Sequence, residues 1–166
     1  MHDKEIHTEY FNAPFGILKI TASDSAISGI RKVAETAGVT NPNIITRSAC
    51  TQLEAYFKGD LKHFDLPVDL SGISTFQQKI LNLLMQIPYG STISYTDLSV
   101  QYGDIKAIRA VANANARNPI PVIIPCHRVI GRDGALRGFA LGLEVKQYLL
   151  EIENPGRRLR QGKLEL

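Results

Sequence analysis

The side chains best suited to chemistry stand together in Ile124-Pro125-Cys126-His127-Arg128-Val129-Ile130. A thiol is a strong nucleophile once ionised, an imidazole is a base near neutral pH, and a guanidinium holds an anion. A free thiol is only a few per cent thiolate near neutrality, so Cys126 needs a base, and His127 is the obvious candidate. Adjacent residues point in different directions, so a bridging water is the natural route between the two. Val122-Ile123-Ile124 reads as a short buried strand that Pro125 ends, because proline has no N–H and keeps Ile124 extended. Cys126 is therefore expected at the abrupt end of a strand, opening onto a pocket. The competing reading is a small buried hydrophobe, the usual fate of a cysteine.

A second group of candidates lies just upstream. The spacing predicts a helix from about Asp104 to Asn118-Pro119. Projected at 100° per residue, Ala107, Ile108, Val111 and Ala112 form its core side. Lys106, Arg109, Asn113 and Arg117 form the other side, with Ala110 beside them. A basic face interrupted by a small residue suits close approach to a phosphate backbone, although on an isolated helix it would read as a solvated face. Ser94-Tyr95-Thr96-Asp97 opens a shorter helix that closes near Gly103. Two short helices about a tight glycine turn make a helix-turn-helix.

Positioning these groups falls to the remaining elements. Ser74 and Gln77 read as a capping box for a helix that carries Phe76, Ile80, Leu83, Leu84 and Ile87 and stops at Pro88-Tyr89-Gly90. Gly131–Gly134 is a turn and Arg137–Gly142 a glycine-bracketed loop able to fold over a pocket. A last helix spans Leu143 to Glu153. In the first half, Ile6–Phe11 and Ile17–Ala22 read as a hairpin about Asn12–Gly16, with a third antiparallel strand from Ala26 to Val33. Gly38–Asn43 reads as a loop, Arg47–Lys58 as a helix and Pro67–Gly72 as a linker. His2, His7 and His63 read as surface residues with no carboxylate or cysteine cluster beside them.

Composition sets bounds on function. The chain has 166 residues, 44% apolar and 21% charged, in the range of a soluble globular protein of one or two domains. No apolar run approaches bilayer length, and the charged start lacks the pattern of a signal peptide. Two cysteines, Cys50 and Cys126, form no disulfide framework or metal-ligand spacing, so a reducing cytoplasm is expected and no metal or cofactor. Residues 1–72 carry a net charge of −2 and residues 73–166 one of +5, which points the second half toward a polyanion. Arg157, Arg158 and Arg160 are expected in a loose tail.

Taken together, residues 73–154 resemble the methylated-DNA–protein-cysteine methyltransferases, the suicide proteins that repair alkylated guanine. The matching pieces are Phe76-Gln77, Ile87-Pro88-Tyr89-Gly90, Ile93-Ser94-Tyr95 with Leu98, and Arg109-Ala110-Val111. Asn118-Pro119, the Pro125-Cys126-His127-Arg128-Val129 core, Gly134, Gly138-Phe139, Lys146, Leu149-Leu150 and Glu153 complete them. Residues 1–72 resemble the family's amino-terminal domain in layout only.

The resemblance implies an α+β protein in two domains. Residues 1–72 would form a ribonuclease-like domain with an antiparallel sheet and a helix. Residues 73–166 would form a mostly helical winged-helix/helix-turn-helix domain for DNA binding and methyl transfer. It implies double-stranded DNA with alkylated guanine as the partner, a monomer, no membrane, and irreversible transfer of the alkyl group from O6 to Cys126 after base flipping. By match, Glu153 orients His127 and Asn118 braces the turn before the cysteine. Arg109 fills the vacated stack, Tyr95 pushes on the flipped nucleotide's phosphate, and Ala110 fits the narrow groove. Lys106, Asn113, Arg117 and Arg128 join the DNA-binding set. The carbonyls of Cys126 and Val129 and the loop at Phe139-Ala140 read the base.

This chain departs from the family at Phe139, where tyrosine is common, at Ala140-Leu141, and at Asp104-Ile105. The rival readings are a non-enzymatic alkylated-DNA sensor, a Cys-His hydrolase and a plain winged-helix module. The sensor resembles this family but carries Trp at the cysteine position, and this chain has no Trp.

Overall fold

In the first half, alternation buries Leu18, Ile20 and Ala22 on one face of β2 (Gly16–Ala22). This strand is the centre of an antiparallel sheet, flanked by β1 (His7–Ala13) and β3 (Ile27–Val33). Phe11 pairs with Leu18, and Ile20 with Ile30. Helix α1 (Ile44–Phe57) packs on β1 and β2 through Ala49, Leu53 and Tyr56. It begins ahead of the expected Arg47 because Asn43 and Thr46 form a reciprocal capping box. The expected linker is partly structured. Ile27 donates from its N–H to the Pro67 carbonyl at 2.8 Å and accepts from the Asp69 N–H at 2.8 Å, so Val68 runs parallel to the start of β3. His7 donates to Asp24 at 2.8 Å, a carboxylate distant in sequence.

The computed structural model describes residues 4–157, which fall into two compact units divided between Gly72 and Ile73. Arg158, Arg160 and His2 lie outside the described residues.

The second unit is mostly helical: α2 (Thr75–Leu84), β4 (Ile93–Ser94), α3 (Tyr95–Tyr102), α4 (Ile108–Ala116), β5 (Val129–Ile130) and α5 (Leu143–Glu153). Ser74 accepts from the Gln77 N–H at 3.1 Å, as expected of an N-cap, but the Gln77 side chain does not complete the box. Its amide instead donates to the Arg117 carbonyl at 3.0 Å and ties α2 to the end of α4. Ser94 and Asp97 form a full capping box on α3, and Gly103, at φ 103°, ends that helix in a left-handed conformation closed to most side chains. Asp104 caps a 3-10 turn at Ile105–Ala107 that leads into α4, giving the α3-turn-α4 pair. Both helices pack on α2 around Ile80, Leu84, Leu98 and Val111.

Two further expectations fail in this unit. Of the four predicted core residues on the third helix only Val111 is buried; Ala107, Ile108 and Ala112 are half-buried, while Ala114 and Asn115 are buried. The 3-10 turn advances about 120° per residue, so a 100° projection begun at Asp104 drifts off the true face. Val122-Ile123-Ile124 is also not a strand. The Ile124 N–H donates to the Ile120 carbonyl at 3.0 Å, and Val122 sits at φ 73°, a strained value for a β-branched residue. Buried apolar composition says strand, but the hydrogen bonds are supplied locally by this turn and by Asn118. The strand comes after the cysteine: β5 pairs in parallel with β4, Ile93 against Val129. Among the described residues no helix is long and apolar enough to cross a membrane.

Candidate active site

Cys126, His127 and Arg128 form a single 3-10 turn, and all three are buried, with Cys126 and His127 at 0% exposure. The turn is held from behind by Asn118, whose amide donates to the Ile124 carbonyl at 2.8 Å while its oxygen accepts from the Ile120 N–H at 3.0 Å. Asn115, from the inner face of α4, donates to the carbonyl of Cys126 itself at 3.3 Å. Burial pushes the Cys126 thiol up to about 11; the Asn118 amide, the Lys146 charge and backbone N–H groups pull the other way. At neutral pH the resting group is a thiol, surrounded by donors that favour its ionised form.

His127 points its Nε2 at Glu153 Oε1, 2.7 Å away. Burial alone would raise Glu153, yet hydrogen bonds from His127 and Arg128 outweigh it and hold the carboxyl down at about 2. An ionised carboxylate only accepts, so Nε2 carries the proton and Nδ1 presents a lone pair. Burial, partly offset by Glu153, lowers the His127 pKa, which keeps the ring neutral. Nδ1 is buried with no protein partner. The turn thus holds a neutral base with its acceptor nitrogen unoccupied, next to a thiol.

Arg128 was expected among the DNA-contacting residues, and its position argues otherwise. It is buried, donates to Glu153 from Nε at 2.9 Å and from Nη2 at 2.8 Å, and reaches the Ile87 carbonyl from Nη1 at 2.7 Å. A guanidinium so occupied neutralises and aims the carboxylate that orients His127. Gly90 closes the other side, its N–H donating to Glu153 Oε2 at 3.3 Å. At φ 79°, with any Cβ 3.1 Å from the Glu153 carbonyl, a side chain here would be strained and would press on that carbonyl.

Tyr95 is mostly buried, and its hydroxyl donates to the Arg137 carbonyl at 2.9 Å. The fully buried Lys146 donates to the same carbonyl at 2.7 Å and to the Tyr95 hydroxyl at 3.4 Å. Burial pulls the Lys146 ammonium down to about 8, against the pull of Cys126 in the other direction. These two residues anchor the loop after β5 over the site. Phe139 in that loop sets its ring edge-on to His127, centroids 6.4 Å apart, while Ala140 is exposed and Val129 is buried.

Lys106, Arg109, Ala110, Asn113 and Arg117 are all exposed, along the 3-10 turn and α4. A cavity of about 450 Å³ opens beside them, lined by Tyr95, Ile108, Arg109, Arg132, Arg137 and Gly138 among others. Arg109 and Tyr95 thus share a cavity. Arg157 is no loose end: it donates to Thr92 Oγ1 at 2.6 Å. Sequence reasoning gave Asn115 and Lys146 no role. A polar residue on the buried side of an amphipathic helix was the available signal for each, and Lys146 also stood among the residues that match the family. Among the described residues no three His, Cys, Asp or Glu side chains gather to hold a metal ion.

Comparison with known proteins adds to this geometry. Residues 75–155 match the family model described as 6-O-methylguanine DNA methyltransferase, DNA binding domain, and residues 6–70 match that family's ribonuclease-like domain. A methylated-DNA–protein-cysteine methyltransferase of Methanosarcina acetivorans is 40% identical over 149 residues, 86% of this chain and 95% of that protein. One from Mycolicibacterium paratuberculosis is 41% identical over 148 residues, 86% and 88% of the two chains. Among solved structures, the Mycobacterium tuberculosis O6-methylguanine methyltransferase superposes with a TM-score of 0.82 at 37% identity, covering 93% of this chain and 96% of that one. The M. tuberculosis OGT in complex with DNA gives 0.81 at 40% identity, covering 89% and 92%.

Proposed function

Because the chain belongs to the 6-O-methylguanine DNA methyltransferase family, we propose that it repairs DNA by moving the alkyl group of O6-alkylguanine onto its own Cys126. The observation that carries this reading is the buried thiol beside a neutral imidazole whose Nε2 proton is held by Glu153. A thiol at 0% exposure cannot reach O6 of a stacked base, so the nucleotide must leave the duplex. The exposed face of α4 lies along the DNA, with Lys106, Asn113 and Arg117 on phosphates or groove edges and Ala110 where contact is close. Arg109 takes the vacated place in the stack, and Tyr95, on the wall of the same cavity, steers the flipped nucleotide. The carbonyls of Cys126 and Val129 and the loop at Phe139-Ala140 face the base edge.

In the reaction the Cys126 proton passes through a bridging water to His127 Nδ1, which Glu153 has left free to accept it. The sulfur attacks the alkyl carbon, the carbon–O6 bond breaks, and guanine departs with the electron pair and takes up a proton. The thioether is not hydrolysed, so each chain acts once. Residues 73–166 carry DNA binding and transfer, and residues 1–72 form the ribonuclease-like domain. The protein works as a monomer, in the cytoplasm, without cofactor. Nothing in the site favours a non-enzymatic sensor, since Cys126 itself occupies the sensor's Trp position.

The test is stoichiometry on methylated duplex DNA. Methyl removal should stop at one group per chain; sustained turnover would contradict the reading. Arg109→Ala should slow repair of duplex by roughly tenfold or more and hardly alter reaction with free methylguanine, because only the duplex requires flipping. Equal losses on both substrates would take Arg109 out of the flipping step.

A further inference from the structure

His7 belongs to residues 1–72 and the alkyl-transfer mechanism gives it no work, yet both nitrogens of its ring are engaged. Nε2 stands 2.8 Å from Asp24 Oδ1, and Nδ1 stands 3.1 Å from the Asn41 carbonyl oxygen. A carboxylate and a backbone carbonyl only accept, so both contacts are hydrogen bonds only when both nitrogens carry protons. A neutral imidazole has one N–H and would turn a lone pair on one of the two oxygens. The ring is 13% exposed, which leaves water little access to replace a lost partner. The Asp24 hydrogen bond raises the His7 pKa most and the Asn41 carbonyl next, against the opposing effect of burial. Two charged groups act on the ring: the Asp24 carboxylate, from the turn between β2 and β3, and Glu5, just ahead of β1. Both favour the cation, and residues 38–43, which pack against it through Asn41, contain no charged side chain.

The partners of His7 also cover a strand edge. β1 lies at one side of its sheet, where unpaired backbone groups would be open to another chain. Asn41 occupies them. Its N–H donates to the Thr8 carbonyl at 3.2 Å, its Oδ1 accepts from the Thr8 N–H at 2.9 Å, and its Nδ2 donates to the Ile6 carbonyl at 2.9 Å. Two residues later Asn43 caps α1 and donates from Nδ2 to the Ser23 carbonyl at 2.9 Å, in the turn that carries Asp24. His7 thus stands where the edge strand, that turn and the segment entering α1 meet.

We propose that doubly protonated His7 is a pH-sensitive latch that holds residues 38–43 and the Ser23-Asp24-Ser25 turn over the edge of β1. Loss of one proton leaves a ring nitrogen facing an acceptor with no hydrogen between them, and the cover over Ile6 and Thr8 loosens. The folded chain holds the His7 proton more tightly than the unfolded chain does. The latch is therefore fully set below the ordinary histidine value of 6.5 and is released as pH rises through the higher midpoint of the folded state. This device concerns residues 1–72 alone and does not depend on alkyl transfer.

The experiment titrates the full chain by NMR across the neutral range, following the His7 ring together with hydrogen exchange at the Thr8 and Asn41 amides. Each exchange rate is divided by its intrinsic rate at the same pH, which removes base catalysis. The His7 midpoint should lie above that of the same ring in the urea-unfolded chain. Protection of both amides should fall by roughly two- to fivefold across that midpoint, the reach of an exposed charge pair. His7→Gln should show no such step. Asp24→Asn, on an exposed turn, takes away only the charge and should lower the midpoint and carry the step with it. A folded midpoint at or below the unfolded one, flat protection across it, or a step that survives His7→Gln would overturn the latch. If His7→Gln does not fold, an unmoved midpoint in Asp24→Asn overturns it instead.

Discussion

Cys50 is half-buried and Cys126 fully buried, and burial pushes both thiols up, to about 12 and about 11. By acidity alone neither is a nucleophile. The difference lies in what an ionised sulfur would meet. At Cys50, on α1, the strongest neighbour is the Glu9 carboxylate, which accepts from the thiol and opposes a second negative charge. At Cys126 the neighbours are the Asn118 amide, the Lys146 ammonium and backbone N–H groups, all of which favour it. A neutral imidazole stands next to it with an open acceptor nitrogen. Burial makes a thiol inert, and only a prepared destination for its proton and its charge makes it reactive.

The sharpest way to break this contrast is at Glu153. Glu153→Gln replaces the carboxylate that fixes the His127 tautomer with a neutral amide, which can present either its oxygen or its NH2 to Nε2, and leaves Arg128 buried without its counter-ion. Single-turnover transfer should fall by about a hundredfold or more, the size of a general-base contribution. The pH midpoint of Cys126 alkylation should move upward. Stability should drop by about 3–5 kcal/mol, as when one partner of a buried pair is removed. The carboxyl is depressed in the folded state, so its contribution in the native chain is present above its unfolded value. It is lost as pH falls from about 4.5 toward about 2. An unmoved midpoint and an unaltered acid limb of stability would show that the pair does not set the reactivity of Cys126.

A smaller effect is expected at Lys146. Lys146→Met takes away a cation whose charge favours the Cys126 thiolate and should slow transfer by about tenfold, roughly one unit of thiol acidity. The native ammonium is lost as pH rises through about 8, so the two proteins should converge above that pH. A ratio constant with pH would mean that Lys146 acts by holding the loop at the Arg137 carbonyl.

The least effect belongs to Phe139→Tyr. The ring already lies edge-on to His127, and a hydroxyl there would add a donor near the departing guanine. Transfer from methylguanine should rise by at most about tenfold, less than a donor in a fully dry site supplies, because Phe139 is only half-buried. A rate unchanged or lower would remove the missing hydroxyl as a limit on this site.

Much of this was legible wherever the signal was local. Ser74, the Ser94-Asp97 box and Gly103 announce helix ends by their own hydrogen bonds and torsions, and the alternation around Asn12–Gly16 gives the hairpin. What failed depended on distant partners. Val122-Ile123-Ile124 has the composition of a strand, but Asn118 draws the chain into a turn. A two-residue parallel pair such as β4–β5 is too short to leave a pattern in sequence. Arg128 was placed in the DNA-binding set with the residues that the resemblance carries over. Its actual partner is Glu153, 25 residues later. The roles of Asn115 and Lys146 became visible only when the groups they touch were in place.

The most direct test of the contrast is to react the chain with excess methylated duplex DNA and locate the methyl group by peptide mass, in the native protein and in Cys126→Ala. The prediction is one methyl on Cys126, none on Cys50, and none anywhere in Cys126→Ala although that variant still binds the DNA. Methyl on Cys50 in either protein, or transfer that continues without Cys126, would contradict the claim that the surroundings of Cys126 make it the acceptor.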